Sequence, residues 1–282
     1  MRNAILLLSG SMPGPERQAP VMRRISHPES TPMTIDAVVF DAYGTLYDIQ
    51  SVATATRKAY PHHAELITQV WRLKQLEYTW LRSAMPAYRS FRQVSEESLA
   101  YTLAAIGLPP DDDRLAFIMD KYLHLDPYPE TLGALDALHG LPRAILSNGN
   151  PDMLEPLVEN TGLRPHLEAI ISVDAVGVFK PDPRAYDLVR ATLRVEPAQV
   201  LFVSSNSFDA CAAKHYGFQV AWIERVPAAA LHAEVASEPS PGPLTVFKLL
   251  RMRQERLGVE VDHRLSSLNE LAQVLANANG SV

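Results

Sequence analysis

The sequence predicts an α/β fold, a parallel sheet with helices on both faces and a helical block inserted near its start. Three observations carry this expectation. A short apolar run from Ile35 to Phe40 ends on Asp41, with Gly44 just beyond, as a buried strand running into a turn does. From Val52 to His124 apolar residues recur at helical spacing, and strand-like runs are scarce. After Pro129 strand-like and helix-like segments alternate, which in one sheet implies parallel strands covered on both sides.

The elements follow in chain order. Arg2 precedes the apolar residues Ala4-Ile5-Leu6-Leu7-Leu8, a run shorter than the roughly 7–15 residues of a secretory core. Ser11 to Pro32 is rich in Pro, Ser, Gly and Arg, so residues 1–33 are expected to form a disordered extension. Met33 is a candidate natural start. In the helical block the spacing of Leu66, Val70, Leu73, Glu77, Trp80 and Leu81 predicts a long helix, and Leu108-Pro109-Pro110-Asp111 a connection between helices. Thr131 to His139 reads as a helix, and Arg143 to Leu146 as a strand closed by Ser147-Asn148-Gly149-Asn150. Pro151 to Glu159 is a helix with Gly162 past its end, and Ile170 to Val173 a strand. Helix Pro183 to Leu193, strand Val200 to Val203, helix Phe208 to Tyr216 with Gly217 as cap, and strand Gln219 to Ile223 complete the alternation.

The expected organisation is a core of residues 34–50 and 126–282, a helical cap of residues 51–125, and a further insertion over 227–256. In that insertion Ala228 to Pro243 is Ala-, Ser- and Pro-rich with a weak pattern. Leu244 to Leu257 reads as an amphipathic helix with Lys248, Arg251, Arg253 and Arg256 on or near its polar side. A packing helix at a domain or subunit contact is the plainer reading, and membrane-surface binding the sharper one.

Bulk properties narrow the function. The 282 residues carry a formal net charge of −6, which disfavours a nucleic-acid binder but not a small anionic ligand in a locally positive pocket. Cys211 is the one cysteine, so an intrachain disulfide framework and a multi-cysteine zinc site are both excluded, as suits a reducing cytoplasm. It sits in the helical run Phe208-Asp209-Ala210-Cys211-Ala212-Ala213 and is expected to be a small buried residue. No stretch approaches the ~20 apolar residues of a membrane span. His62, His63, His124 and His215 lack metal-ligand spacing.

In a parallel sheet, functional side chains gather beyond the carboxyl ends of the strands. Four clusters occupy such positions: Asp41-Ala42-Tyr43-Gly44-Thr45, Ser147-Asn148-Gly149, Lys180 within Phe179-Lys180-Pro181-Asp182-Pro183, and Ser204-Ser205-Asn206-Ser207-Phe208-Asp209. In order and position they resemble the motifs of the haloacid dehalogenase superfamily, over roughly Ile35 to Ile223. The resemblance implies a Rossmann-like core with Asp41 as nucleophile.

Most members of that superfamily are magnesium-dependent phosphohydrolases with a second Asp two residues after the nucleophile. Here that position is Tyr43, and a phenol titrating near ~10 is a poor general acid beside a carboxyl near ~4. After the fourth core strand stand Ser204, Ser205 and Asn206, leaving Asp209 as the carboxylate. Asp41 and Asp209 beside Lys180 make a poor magnesium site, so neither metal nor other cofactor is expected. Asp-x-Tyr-Gly-Thr instead resembles the L-2-haloacid dehalogenase branch. The segment from Trp71 to Trp80 is similar to that family's cap segment, whose halide-binding arginine matches Arg72.

That resemblance implies hydrolysis of short L-2-haloalkanoic acids to D-2-hydroxy acids. Asp41 would attack C2 with inversion, and water would then attack the carbonyl carbon of the ester. Thr45 would hold Asp41. Ser147 and the backbone N–H groups of Ala42, Tyr43 and Asn148 would bind the substrate carboxylate. Arg72 and the Asn148 side chain would receive the halide, with Phe208 as an apolar wall. Asp209 would act as base for the water, positioned with Ser204, Asn206 and Lys180. Tyr43 and Phe91 would line the pocket, and Tyr186 matches a family position near the nucleophile, with core packing as its alternative. The expected partners are a small anionic 2-haloacid and halide, with no nucleic acid or membrane, and the family expectation is a homodimer. Rival readings are hydrolysis of another 2-substituted carboxylate (fluoroacetate or azetidine carboxylate), a magnesium-dependent phosphatase, and a non-catalytic binding protein.

Overall fold

A computed structural model describes residues 34–280, so the extension expected over residues 1–33 lies outside the described residues. The chain enters through β1 (Ala37–Phe40), whose four residues are all buried. It then forms the short strand β2 (Tyr47–Asp48) and four helices, α1 (Ala53–Ala59), α2 (Ala64–Ala84), α3 (Phe91–Ala105) and α4 (Asp112–Asp120). Strand β3 (Asp126–Pro127) returns antiparallel to β2, closing the base of the helical block. The alternation follows: α5 (Thr131–Ala137), β4 (Arg143–Ser147), α6 (Pro151–Asn160), β5 (Ala169–Ser172), α7 (Pro183–Leu193), β6 (Val200–Ser204), α8 (Ser207–Tyr216) and β7 (Gln219–Ile223). Helices α9 (Ala228–Ser237) and α10 (Pro243–Arg251), strand β8 (His263–Leu265) and α11 (Leu271–Asn279) complete the chain.

The main sheet has the order β5-β4-β1-β6-β7-β8, and every pairing in it is parallel. β1 lies centrally, with Phe40 opposite Ile145 on one side and Val203 on the other. The connections run outward from β1 in both directions, so its carboxyl end is the topological switch point where an open α/β sheet binds ligands. Near-continuous apolar runs such as Val200 to Val203 suit strands covered on both faces.

The helical block is built on α2. Trp71 is fully buried, and its indole N–H donates to the Ser95 carbonyl of α3 at 2.9 Å. Ser90 caps α3 in a reciprocal capping box with Gln93, which fixes where that helix starts.

One expectation is corrected. The helix expected over Leu244 to Leu257 ends at Arg251, because the following backbone turns back onto α8. There the Cys211 thiol donates to the Glu255 and Arg256 carbonyls at 3.3 and 3.4 Å, and Leu257 takes a left-handed φ of 44°. The weakly patterned stretch after Pro227 contains α9, docked through buried Leu231 and tied to α10 by the ion pair of Glu234 with Lys248 at 2.7 Å. The final segment supplies β8 to the sheet edge, a strand of three residues that is too short for periodicity to reveal. Helix α10 packs against α2 as well as α9. Among the described residues no helix is long and apolar enough to cross a membrane.

Candidate active site

Asp41 follows directly on β1, and its backbone N–H still donates to Val203 of β6 at 2.9 Å. The next turn is tight. Gly44 has φ +88°, and a Cβ there would lie 3.2 Å from Ser205 Oγ, so this position favours glycine on both counts. Thr45, Leu46 and Tyr47 all direct their N–H groups at the Ala42 carbonyl. Among the described residues the N–H groups of Ala42 and Tyr43 have no acceptor, leaving two donors beside the Asp41 carboxylate.

Asp41 is 4% exposed, and both its oxygens are held. Oδ1 accepts from Lys180 Nζ at 2.8 Å, and Oδ2 from Asn206 Nδ2 at 2.6 Å and Thr45 Oγ1 at 3.1 Å. Lys180 sits at the centre. Its ammonium also donates to Asp209 Oδ2 at 2.6 Å and the Leu146 carbonyl at 3.0 Å, so its three protons have three acceptors. Burial opposes the charge on Lys180, but Asp209 and Asp41 outweigh it and raise its pKa. Ser204 Oγ donates to the same Asp209 oxygen at 3.2 Å, and the Tyr186 hydroxyl donates to the other at 2.6 Å. Burial lifts the Asp209 carboxyl, Lys180 pulls it down and Asp41 pushes it up again, leaving it at about 6.

Facing these carboxylates, α2 supplies Arg72, which is 5% exposed. Its Nη1 donates to the Tyr122 hydroxyl at 2.9 Å, and its Nε is buried without an acceptor. Among the described residues no carboxylate pairs with Arg72. A buried guanidinium lacking a counter-charge is costly unless an anion arrives to take it. Tyr122 in turn donates to Gln75 Oε1 at 3.2 Å, and its ring meets Tyr43 edge-on at 5.7 Å.

The space between these groups is narrow, with a cavity volume of about 20 Å³. Asp41, Tyr43, Arg72, Phe91, Asn148, Lys180, Asn206, Phe208 and Asp209 all reach its wall, as expected from the sequence, and Leu76 joins them. The Lys180 N–H donates to Asn148 Oδ1 at 2.9 Å, which leaves the Asn148 amide NH2 as the free end. Tyr43 stacks on Phe91 at 5.5 Å, and its hydroxyl is buried without a partner. Burial, and then Tyr122, raise its pKa well above the phenol value, so it is not a proton donor of carboxyl strength.

Four candidates stand behind the wall. Ser147 is buried at the end of β4 and accepts the Gly149 N–H at 3.1 Å. Thr45 and Ser204 reach the cavity only through Asp41 and Asp209. Tyr186 also acts through Asp209, since its hydroxyl lies against that carboxylate and not the cavity. Tyr122, the partner of Arg72, escaped the sequence reading because it lies 50 residues away and no local spacing links the two.

Among the described residues no group of three or more His, Cys, Asp or Glu is arranged to hold a metal. The Lys180 ammonium bridges the Asp41 and Asp209 carboxylates and supplies the positive charge between them. The chemistry this donor set favours is therefore attack by an activated carboxylate on a substrate carrying an anionic group and an anionic leaving group.

Comparison with known proteins places this arrangement. Residues 35–217 match the family model of the haloacid dehalogenase-like hydrolases. The chain is 52% identical over 247 residues to the (S)-2-haloacid dehalogenase of Xanthobacter autotrophicus, covering 88% of this chain and 97% of that protein. It is 42% identical over 193 residues to the haloacetate dehalogenase H-2 of Moraxella sp. strain B, covering 68% of this chain and 86% of that protein. Among solved structures, the L-2-haloacid dehalogenase of X. autotrophicus with chloropropionic acid covalently bound superposes with a TM-score of 0.83 at 51% identity, covering 88% of this chain and all of that one (100%).

Proposed function

The chain belongs to the haloacid dehalogenase-like hydrolases, and from that premise we propose that it hydrolyses the carbon–halogen bond of short L-2-haloalkanoic acids. The observation that carries this reading is the buried, unpaired Arg72 across the cavity from Asp41. A carboxylate nucleophile facing a guanidinium without a counter-ion is the pairing that halide displacement needs. The likeness to a relative that holds chloropropionic acid covalently supports an ester route.

The steps follow from the contacts. The substrate carboxylate takes the free N–H groups of Ala42 and Tyr43, which turns C2 toward Asp41. An Asp41 oxygen forms the new bond to C2 as the carbon–halogen bond breaks. The electron pair of that bond leaves with the halide, which Arg72 and the Asn148 NH2 receive, while Phe208 and Phe91 exclude water. Water then adds to the Asp41 carbonyl carbon. Asp209 takes one proton from the water and returns it to the oxygen of the departing 2-hydroxy acid, Lys180 stabilises the charge developing on the carbonyl oxygen, and Asp41 is restored as a carboxylate once the second proton passes to solvent. One inversion at C2 converts an L substrate into a D product. Thr45, Asn206, Ser204 and Tyr186 act by holding Asp41 and Asp209, with Ser147 shaping the turn that carries Asn148.

We propose further that helices α1 to α4 act as a cap over the carboxyl end of the sheet, and that the protein is a cytoplasmic homodimer that binds neither nucleic acid nor membrane. The single, buried Cys211 supports a reducing compartment, and exposed apolar residues on α10 support the dimer. Halide release from L- and D-2-chloropropionate, measured for wild type and Asp41→Asn, tests the reading. Release from the L form alone, abolished by the substitution, is expected. Release from neither enantiomer would overturn the substrate assignment, and turnover of a phosphate ester that depends on magnesium would replace it.

A further inference from the structure

A second cavity, also about 20 Å³, abuts the first. Tyr43, Arg72, Leu76 and Asn206 wall both, so Arg72 faces the two spaces at once. Beyond them the second chamber is closed by Arg225, which follows β7, and by Arg251, at the end of α10. Three arginines line it, and no carboxylate does.

The charges are unequal. Arg225 is paired with Glu130 at 2.5 Å and lies over the Tyr128 ring at 3.5 Å, so it is largely neutralised. Arg251 has no ion pair among the described residues. It lies 4.8 Å over the Trp80 ring, and its Nε is buried without an acceptor. Glu255 and Glu77 act on it electrostatically without forming an ion pair. Trp80 meets Phe208 edge-on at 5.2 Å, so Arg251 is coupled through one ring to the wall of the active site. Arg251 and Met252 of this chamber are half-buried, as Asn206 and Phe208 are in the first cavity. The remaining surface includes apolar Phe247 and Met252, which bind a monovalent anion less tightly than a polar cage would and so permit release.

We propose that this chamber is a second, transient site for a small monovalent anion, through which halide displaced onto Arg72 moves to Arg251 and on to solvent. A volume of about 20 Å³ holds one water-sized body, the scale of a single halide ion. The identity of the anion as product halide rests on the dehalogenase reading above; the presence of an anion site does not. An incoming carboxylate shares the chemistry and could use the same path in reverse.

Bromide is the probe. Crystals of the full chain in sodium bromide, measured at the bromine absorption edge, are expected to give one anomalous peak at Arg72 and a second between Arg72 and Arg251. Arg251→Gln should remove the second peak, keep the first, and weaken bromide inhibition of turnover by roughly two- to fivefold, with Arg251→Lys restoring part of it. Propionate inhibition is the second arm. An equal change for propionate assigns the chamber to both entry and exit, and a change for bromide alone assigns it to exit. A single bromide peak at Arg72, or a second peak that survives Arg251→Gln with inhibition unchanged, marks an adventitious ion only and overturns the proposal. Should wild type release no halide from any 2-haloacid, the functional reading fails by itself, while the bromide peaks still decide the anion site.

Discussion

Lys180 divides its three protons among Asp41, Asp209 and the Leu146 carbonyl, and this one side chain ties the two carboxylates together. Each carboxylate has two further donors, Asn206 and Thr45 on Asp41 and Ser204 and Tyr186 on Asp209, and burial pushes the Asp209 carboxyl up to about 6. A base must be unprotonated to act, and lowering the pH through about 6 protonates Asp209. The rate of ester hydrolysis is therefore expected to rise with pH through about 6 and level off above it, read from single-turnover product formation. A rate flat across about pH 5 to 8 would remove Asp209 from that role. Arg72 is the other decisive residue. Arg72→Gln should lower kcat for chloride release by about 10²–10³, the usual effect of removing one preorganised donor from a developing charge. Asp41 and Asn206 were legible in the sequence because they sit just past β1 and β6, where periodicity stops and polar residues begin, whereas Lys180, well beyond β5, and Asp209, inside α8, stood out through the resemblance of the motif set. The support of Arg72 was not, since Tyr122 reaches Arg72 and Gln75 of α2 only after the chain past α4 has packed against that helix.

At the scale of elements, the turn after β4 is the tightest junction in the site. A Cβ on Gly149 would stand 2.7 Å from the Tyr43 hydroxyl and 2.9 Å from the Leu154 side chain of α6. Gly149→Ala must therefore displace the ring of Tyr43 from Phe91 or shift α6. A loss of about 1–3 kcal/mol in urea unfolding, with a raised KM, is the expected outcome. An unchanged KM would mean that Tyr43 does not shape the pocket. The alternating core was readable because its strands are buried on both faces, so Val200 to Val203 gives a continuous apolar run. Strands β2, β3 and β8 were not, because two or three residues cannot display a period. The early end of α10 was hidden as well, since it depends on the Glu255 and Arg256 carbonyls finding Cys211 on a distant helix.

For the whole molecule, exposed apolar residues among those described stand on α10 and at the end of α2, helices that pack together. Val246, Leu249 and Leu250 on α10 are 40%, 42% and 53% exposed, and Leu81 and Met85 add 44% and 61%. A patch of this kind is a docking surface more often than a solvated one. Sedimentation equilibrium is expected to give twice the chain mass, with Leu250→Glu shifting it toward the monomer; a monomer for wild type at micromolar concentration would contradict the dimer. The central claim nevertheless concerns one atom of one residue, the carbonyl carbon of Asp41. The most direct test is a single turnover of L-2-chloropropionate with excess enzyme in heavy-oxygen water, followed by mass spectrometry of the peptide containing Asp41 and of the product. One heavy oxygen in Asp41 and none in the first product formed is the expected result. Heavy oxygen in the product and none in Asp41 would mean that water attacks C2 directly and that Asp41 is not the nucleophile.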